Sequence, residues 1–280
     1  MTAPDAASNV VELASGGAVQ FSVHEAVAAV ALSRPNKLNA INKAVLRGLA
    51  AAMELVNNDD GVRAVVIRGE GRGFSAGGDL AEVADMVLDS PSLSAFLDNW
   101  HTTLNAVENC RVPVIGAVHG VALAGGFELL QVCDLVVVGD RTQLGDQHAN
   151  YGLFPAGGST QRLPRQIGRR QAMWLLVSGQ AVTPSEALAL GLVNRVVDED
   201  QVLNVALEMA EVVVSRSASG TAAIKAAIRL GGDLDLISAI AAERQIALDH
   251  MASADVQTGL AAFRARTTPR FADIKSEGKR

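Results

Sequence analysis

Residues 119–128 carry the clearest chemical possibility in the chain, because they end Gly125-Gly126-Phe127-Glu128. A carboxylate two residues past a glycine pair, among apolar neighbours, can take up or give a proton. The glycines let backbone approach a ligand closely, and N–H groups at a helix start can bind a developing negative charge. A second unit of the same kind is Phe74-Ser75-Ala76-Gly77-Gly78-Asp79-Leu80. Taken alone, either one also describes a tight packing turn with an acid beside it.

Elements must hold these turns in place. Residues 112–118 and 62–67 are apolar and rich in β-branched side chains, so each reads as a buried strand leading into its glycine turn. Residues 19–23 and 27–32 read as a hairpin, and residues 41–56 as an amphipathic helix after the break at Arg34-Pro35-Asn36. Residues 81–109 read mostly as helix, interrupted at Ser90-Pro91. Residues 135–138 and 192–197 read as strands, and 165–178 as one helix. Thr183-Pro184-Ser185-Glu186 combines a capping box with Pro at the first helical position. The polar, irregular residues 144–152 form the kind of loop that often carries function. After Glu199 only helical periodicity remains. The expected organisation is a loose tail over 1–15, an alternating α/β core over 16–200 and a helical region over 201–280 whose apolar residues, such as Ile237 and Ile240, must pack elsewhere.

The totals exclude several classes. With 280 residues and 49% hydrophobic content the chain is long enough for a large core, built mainly from Ala, Val, Leu and Ile because aromatics are only 4%. A net charge of −6 gives no general attraction to nucleic acid or anionic membrane, and no apolar run is long enough to span a bilayer. Cys110 and Cys133 read as reduced thiols of a cytoplasmic protein, the five histidines show no metal-ligand spacing, and the N-terminal residues lack a secretory pattern. No metal is expected.

In order along nearly the whole chain, the sequence resembles the crotonase, or enoyl-CoA hydratase/isomerase, superfamily. The resemblance is carried by Arg34-Pro35-Asn36-Lys37-Leu38-Asn39-Ala40, the two glycine units, Pro113-Val114-Ile115-Gly116-Ala117-Val118-His119-Gly120, Cys133-Asp134-Leu135, Pro155-Ala156-Gly157-Gly158-Ser159-Thr160-Gln161-Arg162-Leu163 and Ala187-Leu188-Ala189-Leu190-Gly191-Leu192-Val193. It implies an α/β fold, a spiral of repeated ββα units with a C-terminal helical region that makes homotrimers or dimers of trimers. It implies an acyl-CoA thioester as substrate, with coenzyme A as part of that substrate and no tightly bound cofactor.

Carried over by position, the N–H groups of Gly78 and Gly125 would form an oxyanion hole around the thioester oxygen. Losing one such donor typically costs ~3–4 kcal/mol of barrier. Glu128 would act as general acid or base. Lys37, Leu38, Ala40 and Ala76 would line the coenzyme A path, Phe263 and Arg266 match an aromatic-plus-cation pattern that contacts coenzyme A in relatives, and Met86, Leu88, Phe96 and Trp100 would border the acyl chain. The chain departs from the pattern where hydratases carry a second glutamate, because His148 stands there. Imidazole also exchanges protons near neutral pH, and Asp146 and Tyr151 are close enough in sequence to replace the missing acid. Water addition to an enoyl thioester is the expected reaction. A double-bond isomerase and a non-catalytic acyl-CoA binder are the alternatives.

Overall fold

The computed structural model describes residues 13 and 15–271. Most of the expected N-terminal tail lies outside them, while Leu13 and Ser15 are buried. The first strands among the described residues are the hairpin β1 (Val19–His24) and β2 (Val27–Leu32), turned at Glu25 and Ala26. Helix α1 (Lys43–Asn58) follows, capped by the Asn42 side chain, and then β3 (Ala64–Gly69). Two helices separated as the Ser90-Pro91 break requires, α2 (Leu80–Val87) and α3 (Ser90–Glu108), lead to β4 (Val114–Val118), β5 (Val121–Leu123) and α4 (Gly125–Gln131). Strands β6 (Leu135–Gly139) and β7 (Gln143–Gly145) precede a short 3₁₀ turn, His148–Tyr151.

The single helix expected over 165–178 is two, α5 (Ser159–Ile167) and α6 (Arg169–Ser178), because Gly168 takes φ +82° between them. Helix α7 (Pro184–Ala189) carries the full capping box, and the last strand, β8, is limited to Arg195–Val197. Among the described residues, four helices come last: α8 (Val202–Val214), α9 (Ala218–Gly231), α10 (Leu236–Met251) and α11 (Ala254–Ala265).

Strands run in the order β1-β2-β3-β4-β6-β8, parallel from β2 onward. Strands β5 and β7 pair separately, and single bridges extend this second layer through Ile41–Gly78, Ser75–Ala122 and Leu144–Val182. Each turn of chain thus gives one strand to the large sheet and one short stretch to the small one, which is the expected ββα spiral. Gly78 lies on one of these short stretches, and Gly125 and His148 closely follow β5 and β7.

The central strands β3, β4 and β6 are buried on both faces, and period-two alternation divides their side chains between them. Val65, Ile67, Val114, Val118, Val136 and Val138 join the core under α1 and α3. Ala64, Val66, Ile115, Ala117 and Val137 pack against Val202, Ala206 and Ala210 of α8. The sheet's second layer therefore comes from beyond residue 200. Helices α9 to α11 instead leave Ile228, Ile237, Ile240 and Phe263 exposed. Lys225 of α9 ties them to the body, donating to Asp134 at 2.6 Å and to the Val112 carbonyl. Among the described residues no helix is long and apolar enough to cross a membrane.

Candidate active site

The turn after β3 is held by the segment 34–40. Asn39 is fully buried, donates to the Gly73 carbonyl at 2.7 Å and to the Glu70 carbonyl at 2.9 Å, and accepts from the Arg34 N–H. Ser75 Oγ donates to the Asn39 carbonyl, the Ala76 N–H to the Leu38 carbonyl, and the Ile41 N–H to the Gly77 carbonyl. Arg34 closes the unit with a 2.8 Å ion pair to Asp79, whose carboxyl lies below its usual range chiefly through that hydrogen bond. Gly78 is thus fixed from both sides.

The opposing turn follows β5. Leu123 donates to the Ser75 carbonyl and Ala124 to the Gly145 carbonyl, and Ala124 is held at φ +47°, ψ −118°. A non-glycine residue there is strained, of order 1–3 kcal/mol, and persists only because its surroundings over-determine it. The result places Gly125 against Gly78. A methyl group on Gly125 would come 3.2 Å from the Gly78 nitrogen and 2.5 Å from the Trp100 ring, so only glycine fits. Neither the Gly78 nor the Gly125 N–H has a partner among the described residues. Two adjacent free donors remain, able to bind one oxygen that gains negative charge.

Glu128 lies one turn into α4 and is 2% exposed. Its Oε1 accepts from the Gly157 N–H at 2.7 Å and more weakly from Ser159 at 3.4 Å. Burial pushes the carboxyl up to about 7, with nearby Asp146 adding to the rise, while His148 and the two amides oppose it. His148 donates from Nδ1 to Asp146 Oδ1 at 2.7 Å. Burial works to lower the imidazole pKa, but the Asp146 bond and charge, with the charge of Glu128, carry it above its ordinary value. Asp146 is wholly buried behind His148. It holds the imidazole by that hydrogen bond and does not itself line the cavity.

One cavity of about 530 Å³ gathers Ala76, Gly78, Gly125, Glu128, His148 and Tyr151. Leu80, Val83, Val87, Leu93, Phe96, Leu97 and Trp100 make its apolar wall. The expected acyl border is half changed: Phe96 and Trp100 line it, whereas Met86 is in the core and Leu88 is 97% exposed. Leu38 and Ala40 stand behind the wall, giving their carbonyls to Ala76 and Arg34, and Lys37 is exposed on the 3₁₀ turn Pro35–Lys37. Phe263 is 83% exposed near the end of α11 and Arg266 lies just past it, and neither lines the cavity. Among the described residues no group of three His, Cys, Asp or Glu side chains is placed to hold a metal.

Two free amides facing a carboxylate and an imidazole, with an apolar recess beside them, suit a thioester whose neighbouring carbon exchanges a proton. The sequence profile described as enoyl-CoA hydratase/isomerase matches residues 22–275. This chain belongs to that family. It is 35% identical over 245 residues to a probable enoyl-CoA hydratase of Rhizobium meliloti (strain 1021), covering 88% of this chain and 94% of that one. It is 34% identical over 251 residues to the 2,3-dehydroadipyl-CoA hydratase of Escherichia coli (strain K12), covering 89% and 96%. The crystal structure of an enoyl-CoA hydratase from Polaromonas sp. JS666 superposes with a TM-score of 0.88 at 30% identity, covering 91% of this chain and all 100% of that one. The crotonase fold of the family is therefore the fold of this chain.

Several contacts were beyond sequence reading. The Asp146–His148 bond depends on Gln147 adopting φ +56°, the Gly157 amide reaches Glu128 from a separate loop, and Ala124 carries the strain between the glycines. Only the Asp146-to-His148 spacing offered a signal, an acid two residues from a histidine.

Proposed function

We propose that this protein adds water across the double bond of an enoyl-CoA thioester, and removes it in the reverse direction. The carrying observation is the pair of unpartnered amides at Gly78 and Gly125 facing Glu128 and His148 across one cavity. In this reading the thioester oxygen accepts from both amides, so that negative charge can develop there as water attacks C3. Glu128, ionised, takes a proton from the attacking water as the O–C3 bond forms. His148, protonated, delivers a proton to C2 as the enolate collapses. One water is consumed, and exchange with solvent returns Glu128 and His148 to their starting charges. The opposite charge of each group favours the state the other needs.

Coenzyme A comes with the substrate; Ala76 at the cavity lining and the exposed Lys37 on the turn Pro35–Lys37 support an entry along this segment. The exposed apolar side chains of α9 to α11 support assembly into a homotrimer or a dimer of trimers, and the two unpaired cysteines accord with a cytoplasmic location. Incubation with 2-enoyl-CoA esters of four to ten carbons, read by mass, tests the reaction. A gain of one water supports it, a product of unchanged mass but shifted double bond replaces it with isomerisation, and no product from folded protein on any ester refutes it.

A further inference from the structure

Trp100 belongs to α3, yet its indole runs along the cavity from the glycine pair to the carboxylate. A methyl group on Gly125 would meet its six-membered ring at 2.5 Å, and one on Gly157 would fall 2.3 Å from Nε1 and 2.1 Å from Glu128 Oε2. Nε1 and Oε2 are thus neighbours beside the Gly157 backbone. Phe96 steadies the ring from the next turn of the helix, with centroids 5.7 Å apart. Trp100 is 5% exposed, and its Nε1 is buried without an acceptor. The Glu128 Oε1 takes both backbone donors, while Oε2 takes none among the described residues.

A buried indole N–H ordinarily finds an acceptor, because leaving it bare forfeits a hydrogen bond without return. Here the orphan donor and the carboxylate oxygen without a donor stand together. We infer that Trp100 is the positioning residue of Glu128: its Nε1–H donates to Oε2 of the ionised carboxylate and turns the remaining lone pairs toward the cavity. A donor to the charged form favours that form. Other charged or titratable groups around this carboxylate act differently. Asp146, beyond β7, opposes ionisation and His148, on its 3₁₀ turn, favours it. His101 of α3 and Arg162 of α5 are engaged with the carbonyls of Ala156 and Gly157 in the adjoining loop. Trp100 supplies the one donor beside Oε2 among the described residues.

The inference rests on the proposed function only in treating Glu128 as the working base, and the hydrogen bond can be read without turnover. Acid–base difference infrared spectroscopy on the whole protein follows the carboxyl band, assigned with Glu128→Gln. Trp100→Phe is expected to raise the titration midpoint by about one pH unit. Incorporating 3-benzothienylalanine at position 100, which keeps the ring and lacks the N–H, should do the same if Phe disturbs packing. The acidic limb of kcat/KM on an enoyl-CoA should move with it, the variant and parent rates converging at higher pH. A midpoint that stays put in the folded analogue variant, or rates lowered equally at every pH, overturns the inference. A moved midpoint with no turnover by the parent keeps the hydrogen bond and removes the hydratase reading.

Discussion

Asp146 Oδ1 lies 2.7 Å from His148 Nδ1, and the carboxylate is wholly buried while the imidazole lines the cavity. The pair fixes the proton on Nδ1 when the ring is neutral and stabilises the ring when it is charged. Asp146→Asn keeps the shape and removes the charge. Its expected effect is an alkaline limb of kcat/KM displaced to lower pH, with kcat falling about 100-fold, the lower end of the range for acid–base groups. A pH–rate profile on one enoyl-CoA checks this, and a limb left in place would show that His148 is not the acid.

Glu128 connects stability to pH in the opposite sense to a paired surface carboxylate. Its folded pKa, about 7, lies above the ordinary 4.5, so the folded state holds the proton more tightly. The stabilisation from this group is complete below pH 4.5 and lost as pH rises through 7. Above that, the buried charge costs on the order of 3 kcal/mol. Glu128→Gln should therefore raise the midpoint of urea unfolding at pH 8 more than at pH 5, while lowering kcat by about 10²–10⁴. Equal shifts at both pH values would contradict the raised pKa.

Gly125→Ala tests the pair of amides. Its methyl group would overlap the Trp100 ring, so either the ring or the start of α4 must shift. Misplacing one donor is expected to cost about 10²–10³ in kcat. Isothermal titration with a saturated acyl-CoA should show affinity within about tenfold of the parent, because the loss falls mainly on the charge-developing state.

The acyl wall predicts which tails are accepted. Among the residues lining the cavity there is no Lys or Arg, and Glu128 is the acid already present. A tail ending in a carboxylate would bury an unpaired charge. Parent enzyme should turn over an uncharged 2-enoyl-CoA of six to eight carbons at least about 100-fold faster, by kcat/KM, than 2,3-dehydroadipyl-CoA. Comparable rates would mean that the tail leaves the cavity or meets a cation from elsewhere.

What could be read from sequence was what is local. Gly78, Gly125 and Glu128 sit at fixed short offsets after buried strands, and strand, turn and helix start are all patterns within ten residues. The capping box at Thr183 was legible for the same reason. His148 could be placed as a substitution, but its bond to Asp146 required the left-handed Gln147 between them, a conformation that sequence does not favour. Trp100 reaches Glu128 from an earlier helix, and Gly157 from a later loop, so their convergence is a property of the spiral. Helical periodicity is also legible over 202–215, but nothing in it says which layer the helix covers.

That last layer has a consequence for how the protein is made. Ala64, Val66, Ile115, Ala117 and Val137 are synthesised long before Val202, Ala206 and Ala210, which dry them in the finished fold. Until the ribosome has released α8, the nascent sheet presents a broad apolar back to solvent, with parallel strands that close only through long-range contacts. Synthesis of this chain therefore has a vulnerable interval late in translation, when a holdase chaperone has an apolar strip to grip and a stalled or shortened product has no means of covering it.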